Sequence, residues 1–323
     1  MSDDEAAMPA IYIDRKEPHL DVDHGALVVR LDGERVAGLP LAGADRVVLR
    51  RAGTVSVRLL AELGERGIGL FVLGGRTGAP RAHLLGCPHG DASVRFGQMR
   101  LAARSQRVVD LARHAVHAKV TGHRRLIALA MQQRPDLRKP MFDALAEIDG
   151  ILARLPAVTA LEALRGSEGA AAASFFRAYM TLFPDSLGFI GRNRRPPRDP
   201  VNACLSLGYT LLHGEAVRAA WTAGLDPQIG FLHALLAGRE SLGCDLVEMC
   251  RPAVDELVWS LFRDRTLRGD HFRMVEGACL LGKTGRAAYY EAFEAIAVRE
   301  RRRLRHVTAG LARLARSAAG DGP

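Results

Sequence analysis

The chain has 323 residues, 48% hydrophobic and 25% charged, a balance that lets it fold by burial, and its length favours two domains. Its formal charge of +9 is carried mainly by arginine, which suits a polyanionic partner. Five scattered cysteines with no CxxC pair exclude a disulfide framework or thiolate zinc site, while the acidic Met1-Ser2-Asp3-Asp4-Glu5 start and the charge-broken apolar stretches point to a cytoplasmic protein with no membrane association.

From Ala10 to Leu85 the pattern is short and strand-like: Ile11 to Ile13, Ala26 to Leu31, Val36 to Leu41, Arg46 to Leu49 and Ile68 to Leu73. Asp32-Gly33 is a hairpin signal, because the pair tolerates the positive φ angles of a two-residue turn. One helix, Val57 to Glu65, interrupts the strands, opened by Ser56 and closed around Gly64 to Gly67. Glycine, proline and histidine then accumulate between Gly74 and Asp91, which reads as a long turn and a linker.

From Ala92 onward apolar residues recur every three or four positions, the helical period, nearly to the end. Thr159-Ala160-Leu161-Glu162 reads as a capping box, and Asp199-Pro200 as an N-cap followed by proline at the first helical position. Asp226-Pro227 repeats that start, so His233 is expected on a short helix ended by Gly238. Ser241 is expected to cap the next helix, with Pro252 kinking or splitting it. The expected fold is therefore α+β and multidomain: a small N-terminal mostly antiparallel β domain over residues 1–88, joined to a larger all-α C-terminal domain over residues 89–323.

Asp245 and Glu248 lie three residues apart, so their carboxylates share one helix face. Such a pair is ordinarily a solvated acidic face, a histidine flanked by Phe231, Leu232, Leu235 and Leu236 is ordinarily a satisfied core residue, and Glu168 is ordinarily a first-turn acid favoured by the helix dipole. Together, two carboxylates and an imidazole one segment apart suit a divalent ion. The run Gly191-Arg192-Asn193-Arg194-Arg195-Pro196-Pro197-Arg198-Asp199-Pro200 is a proline-stiffened basic loop before a helix N-terminus. Arg192, Arg194, Arg195 and Arg198 are thereby candidates for clamping phosphates at low entropic cost. The later run Arg299, Arg301, Arg302, Arg303 and Arg305 reads equally well as a solvated helix face.

The stretch from Arg194 to Pro252 carries a resemblance in Arg194-Arg195-Pro196-Pro197-Arg198-Asp199-Pro200-Val201-Asn202-Ala203, Leu207-Gly208-Tyr209, Gly224-Leu225-Asp226-Pro227-Gln228-Ile229-Gly230-Phe231-Leu232-His233 and Asp245-Leu246-Val247-Glu248. It resembles the CRISPR-associated Cas-one family, the adaptation integrase and endonuclease. Leu164 to Phe176 is similar to that family's glutamate segment, and the N-terminal strands to its β domain.

The resemblance implies Glu168, His233 and Glu248 as metal ligands for Mg²⁺ or Mn²⁺, with Asp245 as an acidic catalytic position beside the ion. It also implies that the 3′-hydroxyl ends of short double-stranded DNA attack the repeat boundary of CRISPR repeat DNA, and that a homodimer works with a Cas-two subunit. Two other readings use the same residues. One is a structure-specific metal-dependent nuclease on branched DNA or RNA that integrates nothing; the other is a helical nucleic-acid-binding module without catalysis.

Overall fold

In the computed structural model, which describes residues 10–74, 79–87, 89–193 and 196–320, the chain divides between His89 and Gly90 into a β-rich unit and a helical unit. The β unit contains β1 (Ala10–Ile13), β2 (His19–Asp23), β3 (Ala26–Leu31), β4 (Glu34–Pro40), β5 (Arg46–Leu49) and β6 (Thr54–Val55). Helix α1 (Val57–Glu65), β7 (Gly69–Gly74) and β8 (Ala79–Leu84) complete it. One sheet has the order β1-β5-β7-β8 and the other β4-β3-β2-β6. The β3–β4 turn falls on Asp32 and Gly33, with φ of 51° and 86°, the positive values the pair was expected to supply.

Ser56 caps α1 as its side-chain oxygen accepts the Leu59 N–H at 3.1 Å, and its hydroxyl donates to Asp21 at 2.6 Å, tying the helix start to β2. Strand directions are evenly mixed among the described residues: β1–β5, β5–β7 and β2–β6 run parallel, while β2–β3, β3–β4 and β7–β8 run antiparallel. Parallel neighbours need a crossover, and α1 supplies the one between β5 and β7. Leu20, Val22, Leu27, Val29, Val47, Leu59 and Leu63 are among the side chains that fill the core of this unit.

Strand β8 lies within the segment expected to be turn and linker. Its sequence, Ala-Pro-Arg-Ala-His-Leu, has no apolar alternation to reveal it. It is an edge strand, and its Pro80 sits where the register with β7 shifts, the two settings in which a sheet tolerates proline. Residues 75–78 and 88 of the same segment lie outside the described residues.

The helical unit runs through α2 (Ala92–Ala102), α3 (Ser105–Gln133), α4 (Arg138–Arg154), α5 (Leu161–Met180), α6 (Pro200–Thr222) and α7 (Ser241–Arg263) to the long α8 (Lys283–Gly320). Before α8 stands a hairpin, β9 (Phe272–Val275) and β10 (Ala278–Leu281), turned on Glu276 and Gly277 at φ of 50° and 75°. This hairpin departs from the all-α expectation for the unit; its Glu276-Gly277 turn lacks the Asn-Gly or Asp-Gly pair that, like Asp32-Gly33, marks a tight hairpin. Asp199 caps α6 as expected, accepting the Asn202 N–H at 2.8 Å ahead of Pro200.

Three other helix-boundary expectations are corrected. Helix α5 starts on Ala160 without a side-chain cap, so the Thr159 capping box does not form. Ser241 does not cap α7; its hydroxyl donates to the Ala234 carbonyl at 2.8 Å. Helix α7 is also not split at Pro252, whose ring packs against α3 at Gly122, where an added Cβ would come within 2.6 Å of Pro252 Cγ.

Helix α3 packs on α5 and α7, and α6 packs on α7 and α8. Arg301 of the basic run on α8 is buried and paired with Glu215 of α6 at 2.9 Å and with Glu294, so that residue holds helices together and is not part of a solvated face. Among the described residues no helix is long and apolar enough to cross a membrane.

Candidate active site

The buried stripe of α5 reads Leu164, Ala171, Phe175 and Ala178, and Glu168 falls on it, four residues after Leu164 and three before Ala171. Glu168 therefore sits two turns into the helix on its packed side, away from the first turn where a dipole-stabilised acid belongs. The stripe of α3 includes Ala112, Val116, Val120 and Ile127, and Lys119 and His123 lie along it. On α7, Asp245, Glu248, Pro252 and Asp255 follow one another at three- and four-residue spacing, all buried. Three helices thus turn charged side chains toward one another.

Their meeting point is the ammonium of Lys119, which contacts Glu168 Oε1 and lies 2.5 Å from Glu248 Oε2. The other Glu248 oxygen is 3.1 Å from Arg251, one turn along the same helix. Burial by itself would raise the carboxyl pKa of Glu248. The charges of Arg251 and Lys119 outweigh it, helped by nearby His233, and hold the group at about 2. Glu248 is a permanent anion in the interior.

His233 reaches the site on an irregular segment of turns and bends between α6 and α7. The expected short helix is absent. Asp226 instead makes a local turn by accepting the Gln228 N–H at 2.8 Å, and Asp245 captures the N–H groups that a helix would have used. Its Oδ2 accepts from Phe231 at 2.6 Å and Leu232 at 2.9 Å, and its Oδ1 accepts from His233 N at 2.9 Å. Gly230 permits this approach, since a Cβ there would lie 2.8 Å from Asp245 Oδ2. Asp245 Oδ1 also accepts a hydrogen bond from His233 Nδ1–H at 2.6 Å, which leaves Nε2 as the ring nitrogen not engaged by it. Arg165 of α5 holds the segment from the other side, donating to the Leu232 carbonyl at 2.8 Å.

Behind Glu248, the Arg251 guanidinium lies over the Tyr209 ring at 4.9 Å, and the Tyr209 hydroxyl donates to the fully buried Asp255. Asp255 also receives His123 Nε2 at 3.1 Å, while His123 stacks on Phe175 with centroids 3.8 Å apart. Burial pushes the His123 pKa down, and the bond to Asp255 only partly offsets it. Tyr209 is driven the other way, its phenol held protonated first by burial and then by the neighbouring Asp255 charge.

The arginine loop is placed in part. Arg192 turns inward to Asn202 at 2.7 Å and Ser206 at 3.1 Å, with its guanidinium 5.3 Å from the Tyr209 centroid, so it braces the start of α6. Arg198 is exposed, while its backbone N–H donates to Asn193 Oδ1 at 3.0 Å. Arg194 and Arg195 lie outside the described residues.

The arrangement brings Glu168 and Glu248 to one cation and fixes His233 through Asp245. Among the described residues no three histidine, cysteine or acidic side chains already close around a point as a metal cage. The donor chemistry nonetheless fits a hard divalent ion: carboxylates on two helices beside an imidazole whose Nδ1–H is given to a carboxylate, the usual outer support of a metal-binding histidine. Lys119, His123, Tyr209, Arg251 and Asp255 escape the sequence reading. The signal available for four of them is a charged or titratable residue on an otherwise apolar helical stripe; Tyr209 appears only as part of the Leu207-Gly208-Tyr209 motif, with no site role.

The family model described as CRISPR associated protein Cas1 matches residues 11–295. The chain belongs to this family, the Cas-one family that the motifs resemble. A CRISPR-associated endonuclease Cas1 from Thermodesulfovibrio yellowstonii is 34% identical over 310 residues, covering 95% of this chain and 96% of that protein. Another from Thermus thermophilus is 32% identical over 297 residues, covering 91% and 86%. Among solved structures, a CAS1 protein from Thermotoga maritima matches with a TM-score of 0.81 at 20% identity, covering 97% of this chain and 98% of that one. A casposase bound to its integration product matches at 0.82 and 20%, covering 95% and 91%. At that identity the two structures show a shared fold.

Proposed function

We propose that the chain is a metal-dependent DNA endonuclease and integrase of CRISPR adaptation, joining the 3′-hydroxyl ends of short spacer-precursor DNA to the repeat boundary by transesterification. The observation that carries the reading is the sharing of one cation by Glu168 and Glu248, from separate helices, beside a histidine oriented by Asp245. Membership of the Cas1 family, with relatives named as endonucleases over nearly their full length, supports it.

Glu168, Glu248 and His233 Nε2 would hold Mg²⁺ or Mn²⁺, which supplies polarisation of the phosphate and stabilises charge developing on it. Asp245 keeps the imidazole aimed, and Arg251 keeps Glu248 ionised in a buried place. Arginines of the basic loop, exposed Arg198 among them, would hold the DNA backbone, so affinity follows phosphates more than sequence. Replacing the attacking 3′-hydroxyl by water turns the same site into an endonuclease. The assembly proposed is a homodimer, with the β unit in dimerisation, working with a Cas2 dimer; this chain's fold matches 35% of one chain of a Cas6-RT-Cas1–Cas2 complex, with a TM-score of 0.80. Five cysteines, none of them paired, suit a reducing cytoplasm.

The test supplies end-labelled short duplex, Mn²⁺ and a supercoiled plasmid bearing the repeat, with the chain alone and with its Cas2 partner. Label covalently joined to the plasmid is the expected result, abolished in Glu248→Gln. Nicked plasmid without label would leave a nuclease that integrates nothing.

A further inference from the structure

We infer that Lys119 is an exchangeable internal counter-ion: its ammonium stands between Glu168 and Glu248 where a divalent cation would bind, and loading that cation requires displacing it. The inference rests on the metal reading above and adds to it a residue that sets the strength of the site.

Lys119 sits on the apolar stripe of α3 and is only 4% exposed. Burying a lone ammonium is costly; here two carboxylates from two other helices compensate it. In direct contact, Glu168 and Glu248 face Lys119 and Arg251, with the buried Asp245 and Asp255 carboxylates close by. A divalent ion added there meets the Coulomb repulsion of an ammonium already in contact with both of its carboxylate ligands.

Of the two cations, Lys119 is the one able to leave. Arg251 is stacked over Tyr209 at 4.9 Å and its Glu248 contact is made to the other oxygen. Lysine carries a compact charge on four rotatable carbons, whereas arginine presents a rigid planar fork. The chain has only four lysines, Lys16, Lys119, Lys139 and Lys283, so a lysine at this point stands out in a sequence that otherwise uses arginine.

The test is Mn²⁺ binding to the full chain, read by electron paramagnetic resonance of free Mn²⁺ and by calorimetry, for the wild type, Lys119→Met, Lys119→Gln and Lys119→Arg. The neutral variants are expected to bind Mn²⁺ at least about tenfold tighter than the wild type, and the arginine variant no tighter. Thermal melts accompany them. Without metal the neutral variants melt lower, because two carboxylates have been deprived of their counter-ion, and Mn²⁺ raises their Tm more than it raises that of the wild type. Lys119→Gln keeps amide donors for the carboxylates and serves if Lys119→Met does not fold.

Should the wild type bind Mn²⁺ and the neutral variants bind it equally or more weakly, Lys119 is not a competitor and the metal reading stands without it. If no form binds Mn²⁺, the metal reading falls and takes this inference with it. If both neutral variants stay unfolded with Mn²⁺ present, Lys119 is a fixed structural ion and the inference is overturned.

Discussion

Asp245 spends one oxygen on both His233 Nδ1, at 2.6 Å, and the His233 backbone N–H, at 2.9 Å, while its other oxygen holds Phe231 and Leu232. A single buried carboxylate thus aims the imidazole and folds the segment that carries it. Asp245→Ala is expected to lower stability by about 3 kcal/mol or more, since several buried donors lose their acceptor at roughly 1 to 3 kcal/mol each. Asp245→Asn retains one acceptor oxygen and should cost less stability while still reducing strand transfer and cleavage. Denaturant melts set beside the plasmid assay check both; wild-type activity in a folded Asp245→Asn would show that His233 needs no orienting partner.

Glu168→Gln, His233→Ala and Glu248→Gln are each expected to abolish cleavage and strand transfer while leaving DNA affinity nearly unchanged, because chemistry and backbone binding reside on different side chains. The amide variants are the informative ones at the glutamates. Glu248→Ala would strand Arg251 in the interior and leave Lys119 with Glu168 alone, a loss of about 3 to 5 kcal/mol that confuses folding with catalysis. Filter binding at matched salt, with activity followed across a series of Mn²⁺ concentrations, separates a weakened site from a dead one.

Much of this site was legible in the sequence, and what was not has a physical reason. Asp199-Pro200 and Asp32-Gly33 announced a helix start and a hairpin because those residues act locally, on backbone groups two or three positions away. Asp226-Pro227 carries the same local signal as Asp199-Pro200, yet no helix follows. Asp245, distant in sequence, out-competes helix formation for three N–H groups, and no local pattern records that. Asp245, Glu248 and His233 group by spacing and residue type, and Glu168 joins them only through the family resemblance. Lys119 is not legible as a site residue, because periodicity marks its position as core and offers no account of a charge there until Glu168 and Glu248 converge on it.

Tyr209→Phe is expected to destabilise the helical unit by about 1 to 3 kcal/mol, since fully buried Asp255 loses one of its donors. The ring that carries Arg251 remains, so activity in the folded fraction should fall less than in Arg251→Ala, which removes the cation holding Glu248 ionised. Equal losses of activity in the two variants would mean that the hydroxyl itself reaches the chemistry.

His123 gives the helical unit a pH dependence whose sign follows from burial. Its folded pKa is depressed below the ordinary 6.5, so below that value the unfolded chain binds a proton that the folded chain refuses. Stability from this group is therefore complete above 6.5 and declines as pH falls toward the depressed folded value, by at most about 1.4 kcal/mol per pH unit. His123→Gln keeps a donor for Asp255 and removes the titration. Urea melts between pH 7 and 5 should show a shallower loss in the variant, and an unchanged slope would place the proton uptake elsewhere.

The arginines of the basic loop should separate into two classes. Arg192 is spent internally on Asn202, Ser206 and the Tyr209 ring, so Arg192→Ala should lower the Tm and disturb the start of α6, with any loss of DNA binding following from that. Arg198 is exposed, and Arg198→Ala should leave the Tm unchanged while weakening DNA of any sequence. Arg194→Ala with Arg195→Ala should act as Arg198→Ala does and further. Removing one arginine–phosphate pairing flattens the slope of log affinity against log salt by about 0.9 for duplex DNA. Affinities measured at three or four salt concentrations, on two unrelated duplexes, are the deciding data. A drop confined to one sequence would indicate base reading, and unchanged slopes in the triple variant would mean that the loop faces something other than a nucleic-acid backbone.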